Sequence, residues 1–494
     1  MKPAARRIFA LFAVAVIFVD PARSQDSIVS PVSTVTDAVF RSQWVGPQAD
    51  RPELVGMVPT GEGIKPVEDM ATKVREGLWL GSLRIRPGFG TGWAYSNRNS
   101  QGQTTTANSD QSFFLSPSLG LEYGRDTGPW SISGRAGGGY VYYLNPNYSP
   151  NGTGANRNPY NGTMSLGIGH SGLRHDFDIG GSASFGNGQN IQGGGSSTQF
   201  IGAAGANYGY VINEFLTTGA YASYNTQLNR YESGNIDGSD LATLRGGGYI
   251  DWLWTGKTTV GLKVEAGRMT QDILGNATTG GLPDTGIAAR QFVQALVPVA
   301  HNLTSKVLLV AGAGVSYTED DNIPNASSEY TGLRPVYLLG AQYDPSEKTT
   351  MRAYTSFDGF DVVPSYGFSL TWRPRVTTAF TLSAYQNQNF SITTVDQFQV
   401  NRGFTAGVQQ TLLSRFAVGV SGGWQQTDNI SISQNQPNGG DYDYAFVSGS
   451  FRYSMNSWAS WQATVMSSTG NRVNPTSSIS FPETTASVGL NLLF

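Results

Sequence analysis

From residue 79 to residue 494 the chain alternates between apolar and polar side chains with a period of two. In the segment 366–373, for example, Tyr366, Phe368, Leu370 and Trp372 alternate with Gly, Ser, Thr and Arg. Successive side chains of a β-strand point to opposite faces, so this pattern predicts strands with one apolar and one polar face. Segments of 10 to 17 residues repeat it along the whole region, which predicts an all-β fold.

The links between these segments alternate between short and long. Short links such as 255–257 and 302–304 are followed by long polar ones such as 271–288 and 469–481. One link on the long side, near 359–363, is itself short. Nine short and ten long links give about 20 strands, with a range of 18–20. Short turns at one end and longer loops at the other are typical of a single antiparallel up-and-down transmembrane β-barrel of a bacterial outer membrane.

Aromatic side chains cluster within a few residues of the short links. Aromatic rings favour the membrane interface, with the apolar body toward lipid and the polar edge toward water. A row of them at one end of many hairpins therefore predicts an aromatic girdle. Its members are Trp130, Tyr210, Phe215, Trp252, Trp254, Trp372, Phe380, Phe416, Trp458 and Trp461.

The N-terminal segment predicts export. Basic residues at positions 2, 6 and 7 precede a 12-residue apolar run at 8–19, which is too short to span a bilayer. Small residues then predict cleavage between Ser24 and Gln25, so that residues 1–24 form a signal peptide. Residues 25–78 show little alternation and are predicted to be a periplasmic leader or linker, ahead of the barrel at 79–494. The predicted location is the bacterial outer membrane.

The last residues of the chain alternate strictly. Val488, Leu490, Leu492 and Phe494 are apolar at every second position, and the chain ends on the phenylalanine. This pattern resembles the terminal strand signal that the outer-membrane barrel assembly machinery reads. The alternative is a core strand that happens to end the sequence.

Composition narrows the chemistry. The 494 residues include 62 Gly and no Cys, and only 14% are charged, with a net charge of −3. The absence of Cys excludes disulfides and thiolate metal sites, and the charge gives no reason to expect a nucleic-acid partner. The three histidines, His170, His175 and His301, all lie beside short links. We therefore predict no catalytic, cofactor-binding or metal site, no cofactor, and a protein that is not an enzyme.

The polar strand faces are predicted to line a lumen, where charges set ion selectivity. Eight basic and five acidic residues fall on these faces, for a net +3, which predicts a pore for anions or neutral solutes. The alternative is that these charges pair across the wall and only stiffen it. The basic residues are Arg84, Arg86, Arg135, Arg245, Lys263, Arg352, Arg373 and Arg452, and the acidic ones are Glu122, Asp176, Asp178, Asp251 and Glu265.

Several segments together resemble the beta-barrel porin type 2 family of bacterial outer-membrane proteins. They are 83–89, 93–97, 114–121, 334–336, 370–374 and 487–494. The resemblance covers about 79–494, although the chain is poorer in Asp and Arg than is expected of the family. It implies a porin-like barrel, associated in some members with export of extracellular polysaccharide, and it supplies no catalytic residues.

We therefore expect a pore for small solutes or the outer-membrane conduit of a polysaccharide export system. The expected partners are outer-membrane lipid, the barrel assembly machinery and components of polysaccharide export. Two alternatives remain: a closed structural barrel or surface adhesin that presents long extracellular loops, and a barrel enzyme.

Overall fold

The computed structural model describes residues 78–98, 108–124, 129–144, 160–190, 195–231, 236–275, 287–321, 331–390, 397–413, 415–431, 441–456, 458–474 and 477–493. The predicted signal peptide and almost all of the leader lie outside them. The described residues form strands, turns and bends, and among them no helix is long and apolar enough to cross a membrane.

The strands follow one another along the chain with almost no other structure between them. They are β1 (Leu78–Leu80), β2 (Leu83–Arg98), β3 (Asn108–Tyr123), β4 (Trp130–Tyr143), β5 (Tyr160–Ser171), β6 (His175–Asn190), β7 (Gly195–Asn213), β8 (Leu216–Tyr231), β9 (Ile236–Thr255), β10 (Thr258–Gly275), β11 (Ile287–Thr304), β12 (Val307–Asp321), β13 (Gly332–Ser346), β14 (Thr349–Phe357), β15 (Ser365–Arg375), β16 (Thr378–Phe390), β17 (Gln397–Leu412), β18 (Phe416–Ser431), β19 (Asp441–Ser454), β20 (Ala459–Asn474) and β21 (Ser477–Leu493).

Strands β2 to β21 close into a barrel of 20 antiparallel strands. Each strand pairs with the next one in sequence, and β21 returns to pair with β2, from Gly88 opposite Leu493 to Arg98 opposite Glu483. The prediction of a 20-strand up-and-down barrel is confirmed. Closure leaves no edge strand, so every strand in the barrel wall has two hydrogen-bonded neighbours.

The short strand β1 was not predicted. It pairs with the first residues of β2, where Leu80 lies opposite Leu83 across a turn with Gly81 at φ 65°. Glycine adopts this left-handed conformation without steric cost. Three residues are too few to show a period of two, so the sequence pattern could not reveal this strand.

Two sets of links define the two ends of the barrel. The links that follow β3, β5, β7, β9, β11, β13, β15, β17 and β19 form the short-turn rim, and the remaining ten form the long-link rim. Several links on the second rim are shorter than predicted: β20 continues to Asn474 and β21 begins at Ser477, within the predicted loop 469–481, and β8 and β9 extend into the predicted loop 230–239. Likewise β6 and β7 extend into the predicted loop 187–197. Backbone pairing does not require apolar side chains, so polar segments extend the strands past the apolar band.

The outward face of the wall is an apolar band. The exposed residues at alternate positions include Leu115, Leu119, Leu166, Ile179, Leu244, Ile250, Leu262, Val264, Val293, Val297, Leu339, Leu382, Val420, Val447 and Val465. Eight of the ten predicted girdle aromatics are also exposed, while Tyr210 and Phe416 are half-buried. Neighbouring rings stack, as in the Trp372–Phe380 pair at 5.1 Å between centroids.

The inward face is not polar throughout, which corrects the simple division into a polar and an apolar face. On β11, β12 and β13 the inward side chains of Phe292, Leu296, Val310, Val336 and Leu338 are apolar and buried. These strands therefore carry apolar residues on both faces, as strands covered on both sides do. Side chains fill the interior along this sector of the wall.

The seam between β2 and β21 gives a test of closure. At Gly92 an added Cβ would collide with the Val488 carbonyl and the Phe114 ring, whereas at Gly449 it would meet no atom within 4 Å. We expect Gly92→Val to destabilise the barrel by about 1–3 kcal/mol, as overpacking does, and Gly449→Val to change stability by less than about 0.5 kcal/mol. Urea titration of the refolded protein, followed by tryptophan fluorescence, measures both. Equal midpoints for the two variants would contradict a tightly packed seam.

Candidate functional site

The link between β14 and β15, residues 358–364, folds into the barrel and is called the inner loop here. β14 ends at Phe357 opposite Tyr337, and β15 begins at Ser365. The adjacent strands continue further, since β13 begins at Gly332 and β16 runs to Phe390. The wall is therefore lower at β14 and β15, and the inner loop leaves it below the long-link rim.

Two aspartates fold the inner loop on itself. The Asp358 carboxylate accepts a hydrogen bond from the backbone N–H of Phe360 at 2.8 Å. The Asp361 carboxylate accepts one from the backbone N–H of Asp358, also at 2.8 Å. Aspartate side chains commonly stabilise turns by bonding to nearby backbone groups. These two bonds give this short segment a defined shape inside the barrel.

One side of the inner loop is bound to β11 and β12. The N–H of Gly359 donates to Gln294 at 3.1 Å, and Thr318 donates to the Gly359 carbonyl at 3.0 Å. Arg290 donates to the Phe360 carbonyl at 3.2 Å. A Cβ at position 359 would collide with the Phe292 ring, so only glycine allows the backbone to approach this closely.

The other side is bound to β16 mainly through the Gln388 amide, and Gln386 donates one more bond to the Pro364 carbonyl at 2.8 Å. Gln388 accepts hydrogen bonds from the N–H groups of Val362 at 2.9 Å and Val363 at 3.2 Å. Its amide nitrogen donates to the Val363 carbonyl at 2.7 Å and to the Asp361 carboxylate at 2.5 Å. This buried side chain thus supplies the hydrogen bonds that a neighbouring strand would otherwise give the loop backbone.

Buried charges connect the inner loop to β9 and β10. Arg245, whose side chain is only 3% exposed, lies 2.9 Å from the Asp358 carboxylate and 3.5 Å from that of Glu265. Lys263 approaches Glu265 at 2.7 Å, and the Tyr221 hydroxyl donates to the same carboxylate at 2.7 Å. Charges in a dry interior are stable only when they are paired and hydrogen-bonded. Here two cations and two anions alternate.

A second buried pair lies beside it. Arg290 is fully buried and bonds Asp320 through two nitrogens, at 2.7 and 3.0 Å. This bidentate arrangement is the strong form of an arginine–carboxylate contact. Arg290 also donates to the Phe360 carbonyl, so this ion pair connects the inner loop to β11 and β12.

Aromatic rings complete the packing. The Phe360 ring meets the Phe292 ring edge to face at 4.5 Å, and the Arg245 guanidinium lies 4.4 Å from the Phe360 centroid. Phe360 is 2% exposed. Cation–π and edge-to-face contacts of this kind are favourable and directional, so Phe360 anchors the tip of the inner loop against β9 and β11.

Strands β11 and β17 approach each other at the level of the inner loop. Arg290 on β11 lies 5.0 Å from the ring centroid of Phe398 on β17. The two strands are six positions apart, and six steps of about 4.8 Å are roughly 29 Å along the sheet. Two side chains cannot span that distance around an open circular wall. The interior is therefore narrowed here by the inner loop together with the walls that it joins.

The residues predicted to line the lumen lie on the strand face opposite the apolar band. Arg245, Lys263 and Glu265 belong to the inner-loop network. Glu122 pairs with both Arg84 at 3.7 Å and Arg86 at 3.1 Å. Arg352 donates to Gln342 at 3.1 Å. The remaining predicted residues of this face are Arg135, Asp176, Asp178, Asp251, Arg373 and Arg452. That any of these residues lines a conducting pore stays a prediction.

Sequence reasoning missed most of the inner-loop site. Arg334 also belongs to the site, since it donates to the Asp361 carbonyl at 2.6 Å. The unpredicted members are Arg290, Gln294, Thr318, Asp320, Arg334, Asp358, Phe360, Asp361 and Gln388. The one signal in the sequence was the shortness of the link near 359–363 among long ones. Residue 290 alternates like its neighbours, and nothing local shows that it reaches another part of the wall.

The histidines lie on the outward face beside short turns. His170 packs against Trp130 at 4.6 Å, and His175 is hydrogen-bonded to the Tyr208 hydroxyl at 2.8 Å. His301 is hydrogen-bonded to Thr258 at 2.9 Å. Within the described ranges, no group of three or more His, Cys, Asp or Glu residues could hold a metal. The expectation that the chain has no enzymatic activity stays a prediction.

The predicted terminal signals lie partly outside the described residues. Val488, Leu490 and Leu492 lie on β21, and the exposed Val488 belongs to the apolar band. Phe494, like the predicted cleavage site at Ser24 and Gln25, lies outside the described part of the chain. Recognition of this strand by the assembly machinery stays a prediction.

Comparisons with known proteins add only distant likenesses. No family model matches the chain, and no curated protein matches its sequence. Similar solved structures include the siderophore receptor PirA of Pseudomonas aeruginosa (10% identity, 83% of this chain and 80% of that chain, TM-score 0.42). Others are the ferric-catecholate import receptor Fiu of E. coli K12 (11%, 82% and 81%, 0.43) and the FrpB iron transporter of Neisseria meningitidis (10%, 86% and 83%, 0.45). Likenesses this low support no inference about ligand, and membership of the porin type 2 family stays a prediction.

Two arginines, each paired with one of the neighbouring residues Asp320 and Asp321, test whether the buried network stabilises the barrel. Arg290→Gln leaves the buried Asp320 without its cation, and we expect a loss of about 3–5 kcal/mol in unfolding free energy. Arg268→Gln removes an exposed pair with Asp321, 4.0 Å apart, and should cost about 0–1 kcal/mol. Urea unfolding of both variants in the same lipid or detergent provides the measurement. Similar losses in the two variants would show that the buried network does not stabilise the barrel.

Proposed function

We propose that this protein is a bacterial outer-membrane β-barrel that acts as a porin-like pore for small solutes, with the inner loop as its constriction. The observation that supports this most is a loop anchored by buried side chains inside a closed barrel of 20 strands. Barrels of 16–18 strands enclose an aqueous channel, and those of about 22 hold a plug in the lumen. A barrel of this size has an interior that must be either wet or filled.

The proposed membrane location rests on the outward face. Exposed apolar side chains, mostly Leu, Val, Ile and aromatics, lie on the outward face of most strands, and water does not favour a surface of this kind. A closed barrel satisfies its backbone groups internally and is one of the few folds that can cross lipid. The aromatic row marks one interface beside the short turns. By the usual arrangement of such barrels, these turns face the periplasm and the long links face outward.

The proposed water-filled region lies between the inner loop and the short-turn rim. Arg135, Arg373 and Arg452 have no carboxylate within 4.0 Å among the described residues. Asp178 and Asp251 on the same face have no ion-pair partner in that part of the chain either. Charged groups without partners are stable only in contact with water. We therefore infer a hydrated vestibule below a dry constriction.

The constriction favours small solutes over a long polymer. A polysaccharide conduit would need a passage wide enough for a sugar chain, and the Arg290–Phe398 contact narrows the interior. We therefore place the polysaccharide conduit second. Insertion into the membrane would depend on the assembly machinery, and the apolar alternation of Val488, Leu490 and Leu492 supports that proposal.

Conductance in planar bilayers tests the pore and its constriction. The wild-type protein should give single channels, and replacing residues 359–363 by two glycines should raise the conductance because the loop no longer crosses the interior. Pro364→Ala, at the exposed last residue of the inner loop and outside the replaced segment, is the matched control and should keep the wild-type value. Absence of channels in both wild type and loop variant would reject the pore and favour a closed structural barrel or adhesin.

Ion selectivity tests which charges face the vestibule. Six of the predicted lumen residues are paired, so the net preference depends on the unpaired ones. Arg452→Gln should shift the reversal potential in a KCl gradient toward cation preference, and Asp251→Asn should shift it the opposite way, because charges in a wet lumen set the local field. Identical reversal potentials for wild type and both variants would place these residues outside the conduction path.

A further inference from the structure

The short-turn rim carries a set of exposed cations. Six of its turns have a Lys or Arg at the tip or next to it, and all six side chains are exposed. The exposed carboxylates of the described turns are those of Glu214 and Glu347, so the rim has a positive balance. The tip cations are Arg174, Lys257, Lys306, Lys348, Arg375 and Arg415.

These cations differ from those on the outward face near the other rim. There the described cations occur in ion pairs, namely Arg230–Asp240, Arg268–Asp321 and Arg402–Asp428. None of the tip cations has a carboxylate within 4.0 Å among the described residues. Lys306 and Lys348 do donate to backbone carbonyls of the next turn, at 2.7 and 3.4 Å, but a carbonyl does not neutralise the charge. The protein thus leaves these cations available to an external anion.

Apolar side chains project from the same turns. Leu173, Val376 and Leu413 are strongly exposed, and each lies within two residues of a tip cation. Leu413 also has φ 51°, a left-handed conformation that is costly for a side chain of this size. Exposure of the Leu413 side chain to bulk water would not offset the cost of this backbone conformation. Apolar tips beside cations are typical of protein surfaces that lie in a membrane interface.

The aromatic girdle fixes the depth of this rim. Exposed Trp130, Trp252, Trp254, Trp372 and Trp461 lie within a few residues of the turns. Such rings sit at the level of the lipid headgroups. The turn tips are then close to the phosphates of the adjacent leaflet, where a Lys or Arg interacts with anionic lipid.

We propose that the short-turn rim binds the headgroups of anionic phospholipids. The tip cations contact the phosphates, and Leu173, Val376 and Leu413 enter the boundary between headgroups and acyl chains. The proposal rests on the membrane placement proposed above but not on the pore.

Tryptophan quenching measures this interaction in the whole protein. The full chain is reconstituted into phosphatidylcholine vesicles that contain brominated phosphatidylglycerol, and in a parallel series brominated phosphatidylcholine. Bromine quenches only tryptophans in contact with the labelled lipid, and the girdle places several at this rim. We expect phosphatidylglycerol to be preferred by about fivefold, the scale of one cation engaged at an anionic surface. The preference should fall in high salt, which screens exposed charges.

Three variants separate the contributions. Replacing all six tip cations by Gln should abolish the preference for phosphatidylglycerol. The control Arg230→Gln, Arg268→Gln and Arg402→Gln, at the other end of the outward face, should keep it. Replacing Leu173, Val376 and Leu413 by Ser should reduce quenching by both lipids and keep the preference. Circular dichroism and slower gel migration after heating show that each variant is folded.

Equal quenching by the two brominated lipids in the wild type, or an unchanged preference in the six-cation variant, would overturn the proposal. Quenching by neither lipid would instead reject the membrane placement itself. A preference that survives in 1 M salt would also overturn it, because the Debye length of about 3 Å at that ionic strength removes an exposed electrostatic attraction.

Discussion

The backbone hydrogen bonds between β2 and β21 are the constraint on which the rest of the structure depends. They join the last strand to the first, so that every strand in the wall has two neighbours and no edge is left open. Closure also divides space into an inside and an outside. Only then do the two faces of each strand acquire different roles, with the apolar band outward and the buried charges of Arg245, Lys263 and Glu265 inward.

A barrel of 20 strands would leave a wide interior if it stayed circular. The inner loop and its partners prevent this by joining β9–β12 to β16 through buried polar groups. The charges of this network alternate in sign, from Lys263 through Glu265 and Arg245 to Asp358, so none is buried without a partner. Shortening β14 and β15 is what frees the loop to turn inward, because the wall there ends below the neighbouring strands.

The two ends of the barrel differ in whether their exposed cations are paired with carboxylates. Near the long-link rim, the described outward arginines are paired with aspartates, whereas the short-turn rim leaves its cations unpaired beside exposed apolar side chains. The proposed binding of anionic headgroups at the short-turn rim would account for this asymmetry. The aromatic row also lies at the short-turn end of the barrel, beside the unpaired cations.

The sequence by itself determined the number of barrel strands to within one hairpin, the alternation of side chains along each strand and the end at which the aromatics gather, because a period of two and the length of each link are local properties. It also singled out 359–363 as a short link without indicating its direction. Only the tertiary structure decided that this loop folds inward and that Arg290 reaches Phe398, since those contacts join residues about 70 and 108 positions apart in sequence. It also decided that Phe292 and Leu338 are buried inside, on strands where both faces are apolar. Contacts between residues this far apart depend on how the closed wall bends, and the local pattern of side chains does not predict that bend.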